Sequence, residues 1–134
     1  MNIARIVFGI LYLGGAIANT TLTVLNGPEF YHSFADWALI PFYREAWAAV
    51  VIPNMTLFIA LLIAFEISLG LLFIIKRRFM KIALVLGIIF CLGTTPFLIE
   101  AVYTNIPLAL IQAFLLWREL RRNATKKRLR FTQI

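Results

Sequence analysis

The chain has 134 residues and a net charge of +7, with 62% hydrophobic and only 14% charged residues and a mean hydropathy of +0.89. A soluble domain of this length cannot bury so much apolar surface, because small domains leave a large fraction of their surface exposed. The apolar residues form long blocks, so the composition excludes a soluble globular domain and indicates an integral membrane protein in contact with the lipid bilayer.

Four apolar segments predict an all-α, four-helix transmembrane bundle within residues 1–120. A span needs about 20 apolar residues, and the spans are expected at about residues 3–25, 46–75, 79–100 and 102–118. Pro53 is expected to kink the second span or to place its start in the interface. The first segment also resembles a signal peptide, with an A-x-A at 16–18. Its apolar run continues through "TTLTVL", which favours a retained first helix.

Basic residues set the expected orientation. They collect between the second and third segments, at Lys76, Arg77, Arg78 and Lys81, and in a tail at 121–134. Cytoplasmic loops carry such an excess of Lys and Arg, so both termini are expected in the cytoplasm and the protein in the inner membrane. Since the positive charge lies at the ends of apolar spans, we expect no nucleic-acid partner.

The first external loop is dense in aromatic residues. Phe30, Phe34 and Trp37 recur at i, i+4 and i+7, which places them on one face of a helix. The loop therefore predicts a short amphipathic helix on the outer membrane surface. Two roles remain open for it, an aromatic belt that anchors the protein at the membrane interface and a lid over a pocket in the bundle.

Polar residues are predicted to meet inside the bundle. At a rise of about 1.5 Å per residue, Glu66 lies about 15 Å from the basic end, near the bilayer centre. The same estimate places Asn19, Thr94 and Thr95 in the middle or outer half, so these four residues form a candidate ligand-binding site. An isolated charge at this depth costs at least about 2.5–3.5 kcal/mol, so Glu66 must face partners. It could serve helix packing, a ligand or proton, or a contact with another subunit.

Several functional classes lack their residues in this chain. A single cysteine, Cys91, allows neither an internal disulfide nor a redox pair, and a single histidine, His32, cannot build a bis-histidine haem or metal cluster. Phosphate loops, dinucleotide fingerprints and hydrolase motifs are also missing. We therefore expect no metal site and no enzymatic activity of the chain on its own.

Two stretches resemble the DoxX-like family of small membrane proteins. "ARIVFGILYLGGAIANT" is similar to the opening helix of that family, and "LIAFEISLGLLFIIKRRFMKIAL" is similar to its second helix, in which an acid precedes a glycine and a basic turn. The opening helix of the family often has a lysine where Asn19 stands here, so a Lys–Glu pair with Glu66 would be absent.

The resemblance implies a four-helix bundle and a link to membrane redox chemistry, since the namesake members are subunits of a thiosulfate:quinone oxidoreductase. The leading hypothesis is therefore an accessory subunit of a membrane assembly, with a quinone or other amphipathic ligand near Glu66. The alternatives are a small transporter or channel component, which would need a homo-oligomer to form a pore, and an enzyme acting on a lipid-like substrate.

Overall fold

The computed structural model describes residues 2–75, 77–97 and 99–131. These residues are almost entirely helical and contain no strand. Four helical stretches in them are long and apolar enough to cross a bilayer: Ile3–Asn26, Pro41–Ile75, Arg77–Phe97 and Ile99–Thr125. The predicted all-α, four-helix transmembrane bundle is thus confirmed.

The helices follow one another with very short connections. In chain order they are α1 (Asn2–Asn26), α2 (Ser33–Trp37), α3 (Pro41–Ala46), α4 (Met55–Ile75), α5 (Met80–Thr94) and α6 (Ile99–Phe131). Gly27 ends α1 with a φ of 74°, a conformation in which a side chain would be strained. Pro28 then begins a 3-10 turn that leads directly into α2.

The second span begins earlier than the sequence predicts. The helical path starts at Pro41 and passes from α3 through a wide π-type turn at Trp47–Val51 and a 3-10 turn at Ile52–Asn54. Pro53 has no backbone N–H to donate, so the ladder of helical hydrogen bonds is interrupted there. The expected kink is therefore a local change of helical type just before α4.

The last helix is longer than the predicted fourth span. It begins at Ile99 and continues to Phe131, through most of the segment expected to be a basic tail. Pro107 lies inside it. Residues 132–134 of the predicted tail lie outside the described residues.

The four spans pack as two pairs that are consecutive in the sequence. The first span, α1, packs against α4 of the second span, and α5 packs against α6. In the first pair the backbones cross at Gly9 and Gly70. A Cβ atom on Gly70 would lie 3.0 Å from the Gly9 carbonyl oxygen, and one on Gly9 would lie 3.2 Å from the Gly70 carbonyl oxygen. Small residues are therefore needed at this crossing, as in other membrane helix pairs.

A shared core joins the two pairs at the basic end, and one arginine ties α1 to α4 there. The core contains Phe8, Tyr12, Leu69, Phe73, Met80, Ala83, Leu84 and Leu115, which come from all four spans. Arg5 donates from Nε to the Phe73 carbonyl at 2.9 Å and from Nη2 to the Ile74 carbonyl at 2.8 Å. Carbonyls at a helix C-terminus lack partners within the helix, so Arg5 caps α4.

The outer surface of the bundle is apolar. Ile3, Ile10, Ile17, Ile89 and Leu110 are each 61–79% exposed. Such a surface is stable only against lipid chains, since water would be ordered around it. The protein is therefore a multi-pass membrane protein whose helices contact the bilayer.

Candidate ligand-binding cavity

A cavity of about 670 Å³ lies between the two helix pairs. Its walls come mainly from α4 and α5, which contact each other less than the helices within each pair do. The apolar wall residues are Phe34, Trp47, Val51, Met55, Phe58, Ile59, Leu61, Leu62, Phe65, Leu86, Ile89, Phe90, Phe97 and Ala101. This volume is in the usual range for small-molecule sites.

The cavity opens toward the lipid-facing surface of the bundle. Leu61 on α4 and Ile89 on α5 both line it, and they are 54% and 62% exposed. Their exposed parts belong to the same outer surface that contacts lipid chains. An apolar molecule dissolved in the bilayer can thus reach the cavity without crossing water.

Four polar side chains line the cavity: Asn19, Tyr31, Thr94 and Asn105. Asn19 Nδ2 donates a hydrogen bond to Glu66 Oε2 at 2.9 Å. Glu66 is only 5% exposed and is not a wall residue of the cavity. It therefore acts on the cavity through Asn19, whose amide it holds in place.

A glycine on α1 makes room for the Glu66 carboxylate. A Cβ atom on Gly15 would lie 2.7 Å from Glu66 Oε1 and 3.2 Å from Glu66 Cδ. The neighbouring Gly14 has open space at the same position. The close contact of α1 with α4 thus leaves a pocket at Gly15 that the carboxylate occupies.

Tyr31 connects the external loop to this polar pair. Its hydroxyl lies 3.1 Å from Asn19 Oδ1 and 3.2 Å from the Asn19 carbonyl oxygen, to which it donates. Thr23 on α1 donates to the Tyr31 oxygen at 3.4 Å. Since Tyr31 is 2% exposed, the loop is fastened to α1 by a buried hydrogen-bond chain that ends at Glu66.

A second polar group faces the cavity from the other helix pair. Asn105 Nδ2 donates to Thr94 Oγ1 at 2.9 Å, and the Thr94 hydroxyl donates to the Phe90 carbonyl at 2.8 Å. The Thr95 hydroxyl instead donates to the Cys91 carbonyl at 2.7 Å. Thr95 is thus bonded to its own helix and is not a wall residue of the cavity.

The aromatic loop covers one end of the cavity. Phe34 packs on Trp47 and Phe97, with ring centroids 5.6 Å and 6.2 Å away. The backbone N–H of Leu39 donates to the Pro96 carbonyl at 2.8 Å, which ties the loop to the end of the third span. Phe34 thus lines the cavity from the loop, whereas Trp37 is half exposed at 46%, and both roles left open for the loop stay predictions.

A separate buried polar cluster links three spans deeper in the bundle. The Tyr12 hydroxyl donates to Gln112 Oε1 at 3.2 Å, and Gln112 Nε2 donates to Cys91 Sγ at 3.6 Å. A Cβ atom on Gly87 would overlap the Gln112 amide and the Tyr12 hydroxyl. The cluster is not part of the cavity wall and serves the packing of α1 against α5 and α6.

Only some of the residues predicted for the ligand-binding site line the cavity. Asn19 and Thr94 line the cavity, Glu66 lies behind Asn19, and Thr95 lies apart. Tyr31 and Asn105 line the cavity but were not predicted. Their signal in the sequence is slight, since one lies in the loop and the other eleven residues beyond Thr94, after the break at Pro96.

The remaining predicted residues were assigned to the membrane interfaces, and those that the structure describes lie between α1 and α3 and in the turn before α5. Arg77 and Arg78 form a 3-10 turn with Phe79 at the basic end, whereas Lys76 lies outside the described residues. Phe30 packs edge-on against Phe34 and Trp37, with ring centroids 6.0 Å and 6.4 Å away. The three loop aromatics thus share one face, as their spacing predicts.

The cavity offers uncharged hydrogen-bonding groups and no metal ligands. Within the described ranges, no three His, Cys, Asp or Glu side chains come together. Amides, hydroxyls and an apolar wall suit a neutral amphipathic molecule. In comparisons with known proteins, no family model, no curated protein and no solved structure matches the chain.

Proposed function

We propose that this protein is a DoxX-like accessory subunit of a membrane assembly, and that its cavity holds a lipid-soluble ligand of the quinone class. The single observation that carries the ligand proposal is the cavity between α4 and α5, which is apolar along its walls, polar at Asn19 and Asn105, and open to the lipid surface. The assembly role comes from the resemblance to the DoxX-like family.

The polar groups of the cavity suit the oxygen atoms of a quinone ring. An amide NH₂ carries two hydrogens. Asn19 Nδ2 uses one for Glu66, and Asn105 Nδ2 uses one for Thr94. Each amide therefore keeps a hydrogen that can be donated to a carbonyl or hydroxyl oxygen of the ligand.

The apolar walls suit the rest of such a molecule. Phe58, Phe65 and Phe90 line the cavity, and aromatic rings pack favourably on one another when offset or edge-on. An isoprenoid tail can leave through the opening beside Leu61 and Ile89 into the bilayer. A transport pathway for ions would need polar walls along its length, so the cavity favours ligand binding over the channel alternative.

The ligand proposal is tested by what the protein retains on purification. The protein is released from membranes in a mild detergent, and native mass spectra are recorded together with an analysis of the extracted lipids. We expect a stoichiometric quinone on the wild-type protein. Replacing Asn105→Leu is expected to lower its retention about fivefold, since one hydrogen bond contributes about 1 kcal/mol.

Asn54→Leu is the matched control for this experiment. Asn54 is exposed, and its Nδ2 donates to the Val50 carbonyl outside the cavity. It should leave quinone retention unchanged. Equal retention in both variants, or a wild-type protein without any lipid-soluble molecule, would contradict the ligand proposal.

The assembly proposal needs a separate measurement. The protein is isolated from its host membrane after chemical cross-linking, and its cross-linked products are identified by mass spectrometry. A specific partner protein in constant ratio is expected. A chain that is recovered only as a monomer or only cross-linked to itself would contradict the role of accessory subunit and leave the ligand proposal intact.

A further inference from the structure

A second cavity, of about 440 Å³, lies at the basic end of the bundle. We name it the basic pocket. Its lining residues are Arg77, Arg78, Lys81, Glu119, Arg122 and Asn123. They come from the turn before α5, the first turn of α5 and one face of α6, so the pocket lies at the basic end of these two helices.

Charge makes the basic pocket attractive to an anion. Four of its side chains are cationic and one is a carboxylate, so positive charge is in excess. A 3-10 turn at Arg77–Phe79 leads directly into α5, which begins at Met80. Arginine and lysine beside a helix N-terminus suit a phosphate group.

The carboxylate of Glu119 points to a second property of the occupant. Glu119 is 7% exposed, and its Oε2 atom has no hydrogen-bond partner among the described residues. It follows Gln112 and Leu115 on the buried face of α6. A buried carboxylate oxygen without a donor is costly, so the occupant of the pocket should carry a hydroxyl or amine group.

We propose that the basic pocket binds an anionic phospholipid headgroup with free hydroxyls, of the phosphatidylglycerol type. The phosphate lies among Arg77, Arg78, Lys81 and Arg122, and a headgroup hydroxyl donates to Glu119 Oε2. An anionic headgroup matches the excess of positive charge better than a zwitterionic one. The acyl chains then lie along the apolar surface of the bundle, where the pocket meets the membrane.

The test compares two lipids of the same charge, only one of which carries hydroxyls in its headgroup. Native mass spectrometry of the whole protein in detergent measures the binding of phosphatidylglycerol and of phosphatidylmethanol, which has the same charge but no headgroup hydroxyl. We expect phosphatidylglycerol to bind more tightly. Glu119→Leu should abolish the preference, because it removes the acceptor. Thermal unfolding of this variant, followed by circular dichroism, checks that it remains folded.

Variants of two adjacent arginines test whether the lipid binds in the basic pocket or is only attracted by the overall positive charge. Arg122→Gln should lower binding of phosphatidylglycerol about fivefold, the effect of one basic residue near an anionic lipid surface. The adjacent Arg121 lies outside the pocket, with its guanidinium carbon 4.5 Å from the Trp117 ring centroid. Arg121→Gln should therefore have little effect. Equal losses in the two variants would overturn the proposal.

A third arm distinguishes a lipid from a soluble phosphate. Glycerol 1-phosphate carries the same phosphate and hydroxyls without acyl chains. If the pocket serves a lipid, this compound should not displace phosphatidylglycerol at equal concentration. Displacement by the soluble compound, or equal binding of the two lipids by the wild-type protein, would overturn the lipid assignment.

Discussion

Asn19 on α1 donates from Nδ2 to Glu66 Oε2 on α4 at 2.9 Å, which joins the acid in the middle of the second span to the wall of the cavity. The bond explains how a carboxylate is accommodated among lipid-facing helices. The other oxygen of the Glu66 carboxyl group, Oε1, lies against Gly15, and the Asn19 side chain continues the chain of hydrogen bonds to Tyr31.

The Asn19–Glu66 bond should be measurable as a coupling between the two residues. A double-mutant cycle with Asn19→Leu and Glu66→Leu is expected to give an interaction free energy between about 0.6 and 1.7 kcal/mol, the average and the maximum found for hydrogen bonds between membrane helices. The measurement is the free energy of unfolding in mixed detergent micelles. Strictly additive effects would show that the bond does not stabilise the fold.

A side chain at Gly15 should weaken the contact between α1 and α4. Gly15→Val places its methyl groups where the Glu66 carboxylate lies, so we expect a destabilisation of about 1–3 kcal/mol. Gly14→Val is the control, because the space beside Gly14 is open. Thermal unfolding of the two variants checks this, and similar melting temperatures would contradict it.

The buried cluster of Tyr12, Gln112 and Cys91 should depend on the glycine beside it. Gly87→Val would displace the Gln112 amide, leaving buried polar groups unpaired at a cost of about 1–3 kcal/mol. Gly93 lies on the same helix with open space around it, so Gly93→Val should leave the protein near wild-type stability. The free energies of unfolding of the two variants are compared in detergent. An equal loss of stability would mean that the substitutions act on helix α5 itself and not on the buried cluster.

The distribution of charge predicts the orientation of the chain. In a background with Cys91→Ala, single cysteines are placed at the exposed positions Asp36, Arg78 and Asn123. A membrane-impermeant maleimide added to intact cells should label only the cysteine at position 36, since basic segments remain in the cytoplasm. Labelling at position 78 or 123 before the cells are broken would show that the orientation is the reverse of the predicted one.

Hydropathy alone was sufficient to predict the spans, because the bilayer demands long apolar helices. The depth of Asn19 and Glu66 followed from the helical rise, and the two side chains do meet. Depth does not determine which way a side chain faces. Thr94 and Thr95 are adjacent, and the hydroxyl of each donates to a carbonyl of its own helix, yet only Thr94 lines the cavity.

The other parts of the cavity depend on contacts that no local pattern encodes. Tyr31 reaches Asn19 because Gly27 turns the chain back over α1. Asn105 reaches Thr94 because the helix breaks at Thr95–Phe97 and resumes at Ile99. Both contacts result from a reversal of chain direction, whereas helical periodicity relates only residues on one continuous helix.

The pairing of consecutive spans has a consequence for biosynthesis. Chains are made from the N-terminus, so α1 is already available in the membrane when α4 leaves the ribosome. The partners of Glu66, Asn19 and Gly15, belong to α1. Glu66 can therefore enter the bilayer together with its hydrogen-bond donor, before the last two spans have been translated. Its side chain is then not left without a partner in the hydrocarbon region until the bundle is complete.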